Sequence, residues 1–331
     1  SGIATLFDVD QVEVFRGPQG SRTGANALAG LIYIKTKDPT NEFEGTSEIT
    51  LGDYGTQNLG IAFGGPMKNK KLKYRLVLRT DYADGFRKNI FLNKSDTSKK
   101  DELTLRYKLN WDFNETTDIN FIISKVDMDD PADIWTIDGS LNTLSDRLGM
   151  DSQETNSYGI KITKNFINFD LQSFTSSTKT DVIFSYDADW GNPDSHFPYI
   201  YDYFSETLRK RDTFSQEIRI LSKNTDFSQI KPFEWVFGMD FSELEETNVI
   251  RDDGIYGDPS DPYGPYASES AISRNYKAEN FSLFGNIDYF LTKNYKLAIG
   301  LRWENWDSKY NDSNKESFNP SDSMNGGKAS L

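Results

Sequence analysis

From Glu48 to Glu304 the chain repeats one pattern, apolar residues alternating with polar ones at a period of two. Its clearest run places Leu72, Tyr74, Leu76, Leu78, Thr80 and Tyr82 on one face, with Lys73, Arg75, Arg79 and Asp81 mostly on the other. Leu103, Leu105, Tyr107, Leu109 and Trp111 repeat it, and so do Trp235, Phe237, Met239 and Phe241, and Leu297, Ile299, Leu301 and Trp303. A period of two is that of a strand with one apolar face, and about eleven strands are predicted, many near the ten residues with which a tilted strand crosses a bilayer.

The connections sharpen this reading. Short links near Met67, Asn114, Asn165, Thr225 and Thr292 alternate with connections that are mostly long: Phe86 to Lys100, Asp127 to Thr155, Trp190 to Arg211, Thr247 to Asn275, and Ser308 onward. Only the first link on the long side, around Tyr54, is short. A soluble antiparallel protein also alternates inside and outside, but it has no reason to gather its long loops at one end. An outer-membrane barrel has short periplasmic turns and long extracellular loops. The fold class is therefore all-β, an antiparallel transmembrane β-barrel.

Composition removes several alternatives. No apolar run approaches twenty residues, which excludes membrane-crossing helices, whereas a mean hydropathy of −0.64 is compatible with a barrel whose lumen face is polar. A net charge of −14 argues against nucleic acid, whose phosphates call for clustered Lys and Arg. Cysteine is absent and His196 is the only histidine, so thiol metal sites and multi-histidine sites are excluded. No cofactor is expected. The chain starts at Ser1 with no basic or apolar leader and is read as an internal piece of a longer protein.

The stretch from Asp8 to Pro39 has a different character. Two strand-like runs, Val12 to Phe15 and Leu31 to Thr36, flank a segment with Gly17, Pro18, Gly20, Gly24 and Gly30, which predicts a compact strand, turn and strand. Val12-Glu13-Val14-Phe15-Arg16-Gly17-Pro18-Gln19-Gly20, then Gly24-Ala25-Asn26-Ala27-Leu28-Ala29-Gly30-Leu31-Ile32-Tyr33-Ile34-Lys35-Thr36-Lys37 and Pro39, closely resembles the end of the plug domain of TonB-dependent outer-membrane receptors. Arg22-Thr23 stands where the family has Leu-Tyr, and Tyr33 where it often has Asn.

The resemblance implies a barrel of about 22 strands filled by an N-terminal plug, of which this chain would hold the C-terminal part of the plug in residues 1–40 and the N-terminal half of the barrel in residues 41–331. The Ser-, Asn- and Asp-rich stretch from Asn311 to Ser330 reads as an extracellular loop. Implied partners are the TonB complex of the inner membrane, reached through a segment before Ser1, a ferric siderophore or similar ligand, and outer-membrane lipid and lipopolysaccharide. The resemblance also implies that Arg16 pairs with carboxylates on the barrel wall, Glu217 being one candidate, while Gly17, Pro18, Gly20, Gly24 and Gly30 shape the plug–barrel contact through backbone geometry.

Two aromatic groups, Trp190, Tyr199, Tyr201 and Tyr203 in one predicted loop and Tyr256, Tyr263 and Tyr266 in another, are candidates for substrate binding, because aromatic rings with polar tips suit an amphipathic ligand. Asp127, Asp129, Asp130 and Asp133 lack calcium-loop spacing and read as solvated loop residues. No catalytic constellation emerges, and no enzymatic activity is expected. The leading function is TonB-dependent active uptake of a scarce nutrient, with a ferric siderophore ahead of cobalamin or an oligosaccharide. A passive channel or an adhesin-type barrel is the alternative.

Overall fold

A computed structural model of the chain describes residues 5–17, 30–68, 70–223, 233–291 and 295–314, together with the backbone of 321–330. Pro18, Gly20 and Gly24 lie outside the described residues. Two strands, β1 (Val9–Arg16) and β2 (Gly30–Thr36), pair as an isolated antiparallel hairpin. The main sheet follows: β3 (Glu44–Leu51), β4 (Gln57–Pro66), β5 (Leu72–Ala83), β7 (Lys100–Asn114), β8 (Thr117–Pro131), β10 (Met150–Asn165), β11 (Phe169–Asp187), β12 (Ile200–Ser222), β13 (Phe233–Gly257), β14 (Tyr266–Phe290), β15 (Lys296–Asp312) and β16 (Ser321–Ser330). Each strand pairs with the next along the chain, giving one antiparallel meander of 12 strands. Two short strands, β6 (Lys88–Asn89) and β9 (Asn142–Thr143), pair in parallel within the long connections.

The alternation seen in the sequence becomes two faces. One row of registered residues, Leu72, Trp111, Ile119, Ile162, Ser173, Ile218, Met239, Leu283 and Trp303, crosses nine strands on the apolar face. Most of its large side chains stay exposed within the chain, as a lipid-facing band requires. A second row on the same face, Lys125, Asn156, Lys179, Asp212, Glu245, Lys277 and Lys309, is almost wholly charged. Followed to the earlier strands it meets Leu105 and Leu78, so the rows climb out of the apolar band as they do when strands are tilted to the membrane.

The strands run far past this band. β13 and β14 are 25 residues each, against about 9–11 for a crossing, so more than half of each stands beyond the bilayer. This corrects two expectations. The connections predicted at Trp190 to Arg211 and Thr247 to Asn275 shrink to residues 188–199 and 258–265, because main-chain pairing continues through charged sequence that lacks an apolar face. The stretch from Asn311 to Ser330, read as a loop, closes instead with β16, held to β15 by a ladder that asks nothing of side-chain polarity. Asp133, expected to be solvated, is buried, and its Oδ2 accepts hydrogen bonds from Asn89 (3.0 Å) and Thr143 (2.6 Å) that draw three loop segments together.

Candidate functional site

The hairpin lies against the polar face of the sheet, and two consecutive residues at its entry fasten it there. Asp8 has a left-handed φ of 61°, a conformation that aspartate tolerates better than most residues, and its carbonyl accepts the Lys37 amide at 3.1 Å, tying the two ends of the hairpin. The turn aims its carboxylate at the wall. Arg75 of β5 grips it with Nε at 2.8 Å and Nη2 at 2.5 Å, and Arg106 of β7 reaches the same carboxylate at 3.5 Å and the Phe7 carbonyl at 3.2 Å. The Asp8 and Arg75 side chains are 0% and 2% exposed. Glu44 of β3 accepts Arg75 Nη1 at 2.8 Å, so two carboxylates balance two guanidinium groups. Asp8 and Arg75 are tolerated in their buried place because each is paired and hydrogen-bonded, while Glu44 reaches solvent; removing Asp8 strands the two arginines.

Glycines make this arrangement possible. Arg75 and Glu44 sit on either side of Gly64 of β4, in register with both, and Arg79 and Glu48 flank Gly60 in the same way. Without a side chain on the middle strand, each arginine reaches across to its glutamate, Arg79 meeting Glu48 at 2.6 Å. Gly60 also seats Phe7: a Cβ there would come within 2.7 Å of the Phe7 ring, over which the Arg79 guanidinium stands 5.7 Å from the centroid. At the other end of the hairpin, Lys108 of β7 donates to the Thr36 carbonyl and to Asp38, both at 2.8 Å.

The residues chosen by motif behave differently. Arg16 ends β1, is exposed, and forms no ion pair with a described carboxylate, whereas Glu217 lies 3.4 Å from Arg219. Gly17 has φ of 79°, and Gly30, at φ 152°, would carry a Cβ 2.6 Å from the Phe15 carbonyl oxygen, so both positions require glycine's freedom. Asp8, Arg75 and Arg106, which do hold the hairpin, carry no motif in the sequence. The available signal was the pairing of Glu44 and Glu48 with Arg75 and Arg79 at matching spacing around Gly60 and Gly64.

Beyond the membrane band, Tyr201, Tyr256 and Tyr266 are direct register partners across β12, β13 and β14, so they form a row on strands, not in loops as predicted. Each lies an odd number of residues from the apolar row, which puts all three on the polar face with Arg75. The Tyr201 ring stands 4.9 Å from Tyr203 and 6.4 Å from Tyr256, and His196 meets Tyr201 edge-on at 5.2 Å. A second group that the sequence reading missed, Trp135 against Phe184 (6.4 Å) and Tyr186 (5.1 Å), lies on neighbouring elements. Trp190, Tyr199 and Tyr263 remain in connections and make no ring contact with a described aromatic; Tyr263 is 85% exposed.

The connection that carries Trp190 is held by carboxylates. Asp189 accepts the Gly191 amide at 2.8 Å and the Tyr203 amide at 3.1 Å, pinning the loop to the tyrosine row. Asp187, at the far end of β11 and well outside the crossing segment, is buried beside it. Burial, followed by a hydrogen bond shared with Asp189 and the negative charges of Asp189 and Asp146, pushes the Asp187 carboxyl up to about 8.

Comparison with known proteins places these features in a family. The family model described as TonB dependent receptor-like, beta-barrel, matches residues 34–330. The vitamin B12 transporter of Vibrio vulnificus is 24% identical over 158 residues, covering 44% of this chain and 26% of that protein. The ferric yersiniabactin uptake receptor of Yersinia pestis superposes with a TM-score of 0.76 at 17% identity, covering 97% of this chain and 48% of that one. The siderophore receptor of Acinetobacter baumannii gives 0.69 at 15%, covering 98% and 51%. The chain thus spans about half the length of these solved structures, and its match spans about a quarter of the curated relative.

Proposed function

The chain belongs to the TonB-dependent receptor β-barrel family of the bacterial outer membrane, and from that membership we propose that it forms the end of a plug and half of the barrel of a receptor for active nutrient uptake. The cargo we propose is a ferric siderophore, and the energy comes from the TonB complex of the inner membrane, which engages a segment before Ser1. The relatives with which it compares are transporters and receptors, and no step of this function requires catalysis.

The observation that carries the reading is the buried Asp8–Arg75–Arg106 contact. A passive pore needs no element fastened across its lumen face, and an adhesin needs none buried there. A plug that must stay seated at rest does. In this reading residues 1–40 are plug and residues 41–331 are barrel wall, Arg16 pairs with a wall carboxylate outside the described residues, and Gly17, Pro18, Gly20, Gly24 and Gly30 serve the plug–barrel contact through the backbone geometry of their residue types. The tyrosine row Tyr201, Tyr256 and Tyr266, with Tyr203, forms part of the cargo-binding mouth; Trp190, Tyr199 and Tyr263 extend it from the loops. The outer ionic row meets lipid and lipopolysaccharide headgroups. The vitamin B12 transporter among the relatives supports cobalamin as the second cargo class.

The test is growth. A strain lacking the full-length receptor, starved of iron, should fail to grow on one defined ferric siderophore and recover when the gene is restored. Growth unchanged on every ferric chelate, with a defect on cobalamin instead, would move the assignment to the second cargo.

A further inference from the structure

Between β2 of the hairpin and the wall strands lies a cavity of about 420 Å³, bordered by Tyr33, Lys35, Lys108, Lys161, Phe174 and Ser215 among others. Its size falls within the range of small-molecule sites, roughly 300–1,000 Å³. Its charge is unbalanced. Lys35 and Lys108 share Asp38, and Lys35 also meets Asp10 at 3.0 Å. Lys161 makes no ion pair with a described carboxylate; its ammonium stands 5.2 Å from the centroid of the Phe174 ring.

The same ring receives a second cation, Arg219, at 4.6 Å. Two like charges on one aromatic ring repel, and the ring's quadrupole compensates each only in part. Glu217 and Gln172 take up part of the Arg219 charge, at 3.4 and 3.0 Å, and neither is paired with Lys161. An ammonium beside a polar cavity, close to another cation and to the Ser176 and Ser215 hydroxyls, which pair at 2.7 Å on the polar face, has the donors and the charge for a negative guest.

The cavity lies toward the end of the sheet with short turns. Lys161 is four residues from the end of β10, and Phe174 five residues from the start of β11. It is thus displaced along the polar face from the tyrosine row, which stands at the opposite ends of the strands.

We propose that this cavity is an anion-binding site that takes a carboxylate, preferably one carried on a flat apolar group that can lie against Phe174, as a solute passes between hairpin and wall. Lys161 supplies the charge, and the Ser176–Ser215 hydroxyl pair, on the polar face, supplies the remaining hydroxyl donor. The site rests on the reading of the polar face as a transport lumen, and it does not depend on which cargo is carried.

The probe is 4-bromobenzoate, soaked into crystals of the full-length receptor and titrated against the same protein in detergent. Its bromine is located by anomalous scattering. The expected result is a bromine peak in the cavity beside Lys161, absent in Lys161→Met, with affinity about tenfold weaker in that variant and retained in Lys161→Arg. Arg219→Gln serves in its place should Lys161→Met fail to show the heat-modifiable migration of a folded barrel. No peak in the cavity of the unaltered receptor, or a peak and affinity unchanged by loss of the charge, overturns the proposal. Uptake of ferric chelates is measured separately in cells, so failure of transport and failure of this site are distinguishable.

Discussion

Asp8 and Arg75 are 67 positions apart in the chain and meet through two hydrogen bonds of 2.8 and 2.5 Å, with both side chains removed from solvent. No other contact between the hairpin and the wall joins two charges so completely buried among the described residues. Replacing Asp8 by Ala leaves Arg75 and Arg106 without their shared partner, at an expected loss of about 3–5 kcal/mol in the hairpin's attachment. Hydrogen exchange of the β1 and β2 amides in the full-length receptor measures it: exchange should accelerate in Asp8→Ala while the wall strands stay protected.

Gly60 permits a second test of the same seam. A Cβ at that position would press on the Phe7 ring, so Gly60→Ala should weaken the attachment by about 1–3 kcal/mol. Phe7→Ala vacates the space. The double variant should therefore lose less than the sum of the two single changes, which a double-mutant cycle on hairpin protection reads directly.

Substitution tests the proposed part of the tyrosine row in cargo binding. Tyr201→Ala with Tyr256→Ala removes two registered rings, and cargo affinity at the cell surface should fall about tenfold or more. Tyr263→Ala, at an almost fully exposed position without ring partners, should change affinity little. Equal losses from both would show that the row has no special part in binding.

The loop that carries Trp190 should respond to pH. Asp187 keeps its proton up to about 8, far above its ordinary value of 3.8, so the native loop binds more protons than the opened loop between those values. The contribution of Asp187 to the loop's stability is therefore full below about pH 4, declines as pH rises through that window, and is lost above pH 8. Exchange of amides in residues 188–199, corrected for intrinsic rates, should be faster at pH 9 than at pH 6. Asp187→Asn should flatten the dependence.

How far the sequence carried the fold can be seen in particular residues. Leu72 to Tyr82 and Trp235 to Phe241 announced their strands because one face meets lipid, and a lipid face must be apolar. Tyr201 and Tyr256 resemble loop residues in sequence because their strands continue past the bilayer, where both faces are wet and alternation fades while main-chain pairing persists. Asp8 is inconspicuous in the sequence for a related reason. Its partners lie 67 and 98 residues away, and nothing local distinguishes a carboxylate that will be buried from one that will be solvated. Arg16 stood out by motif, yet the contacts that seat the hairpin on the described wall come from its entry and exit, Phe7, Asp8 and Asp38.

Energy dependence distinguishes a plugged receptor from a passive barrel. On the proposed reading, cells expressing the full-length receptor should accumulate radiolabelled iron from a ferric siderophore, and an uncoupler of the proton-motive force should abolish that accumulation while leaving surface binding of the chelate intact. Accumulation that continues at the same rate with the uncoupler present would contradict the account.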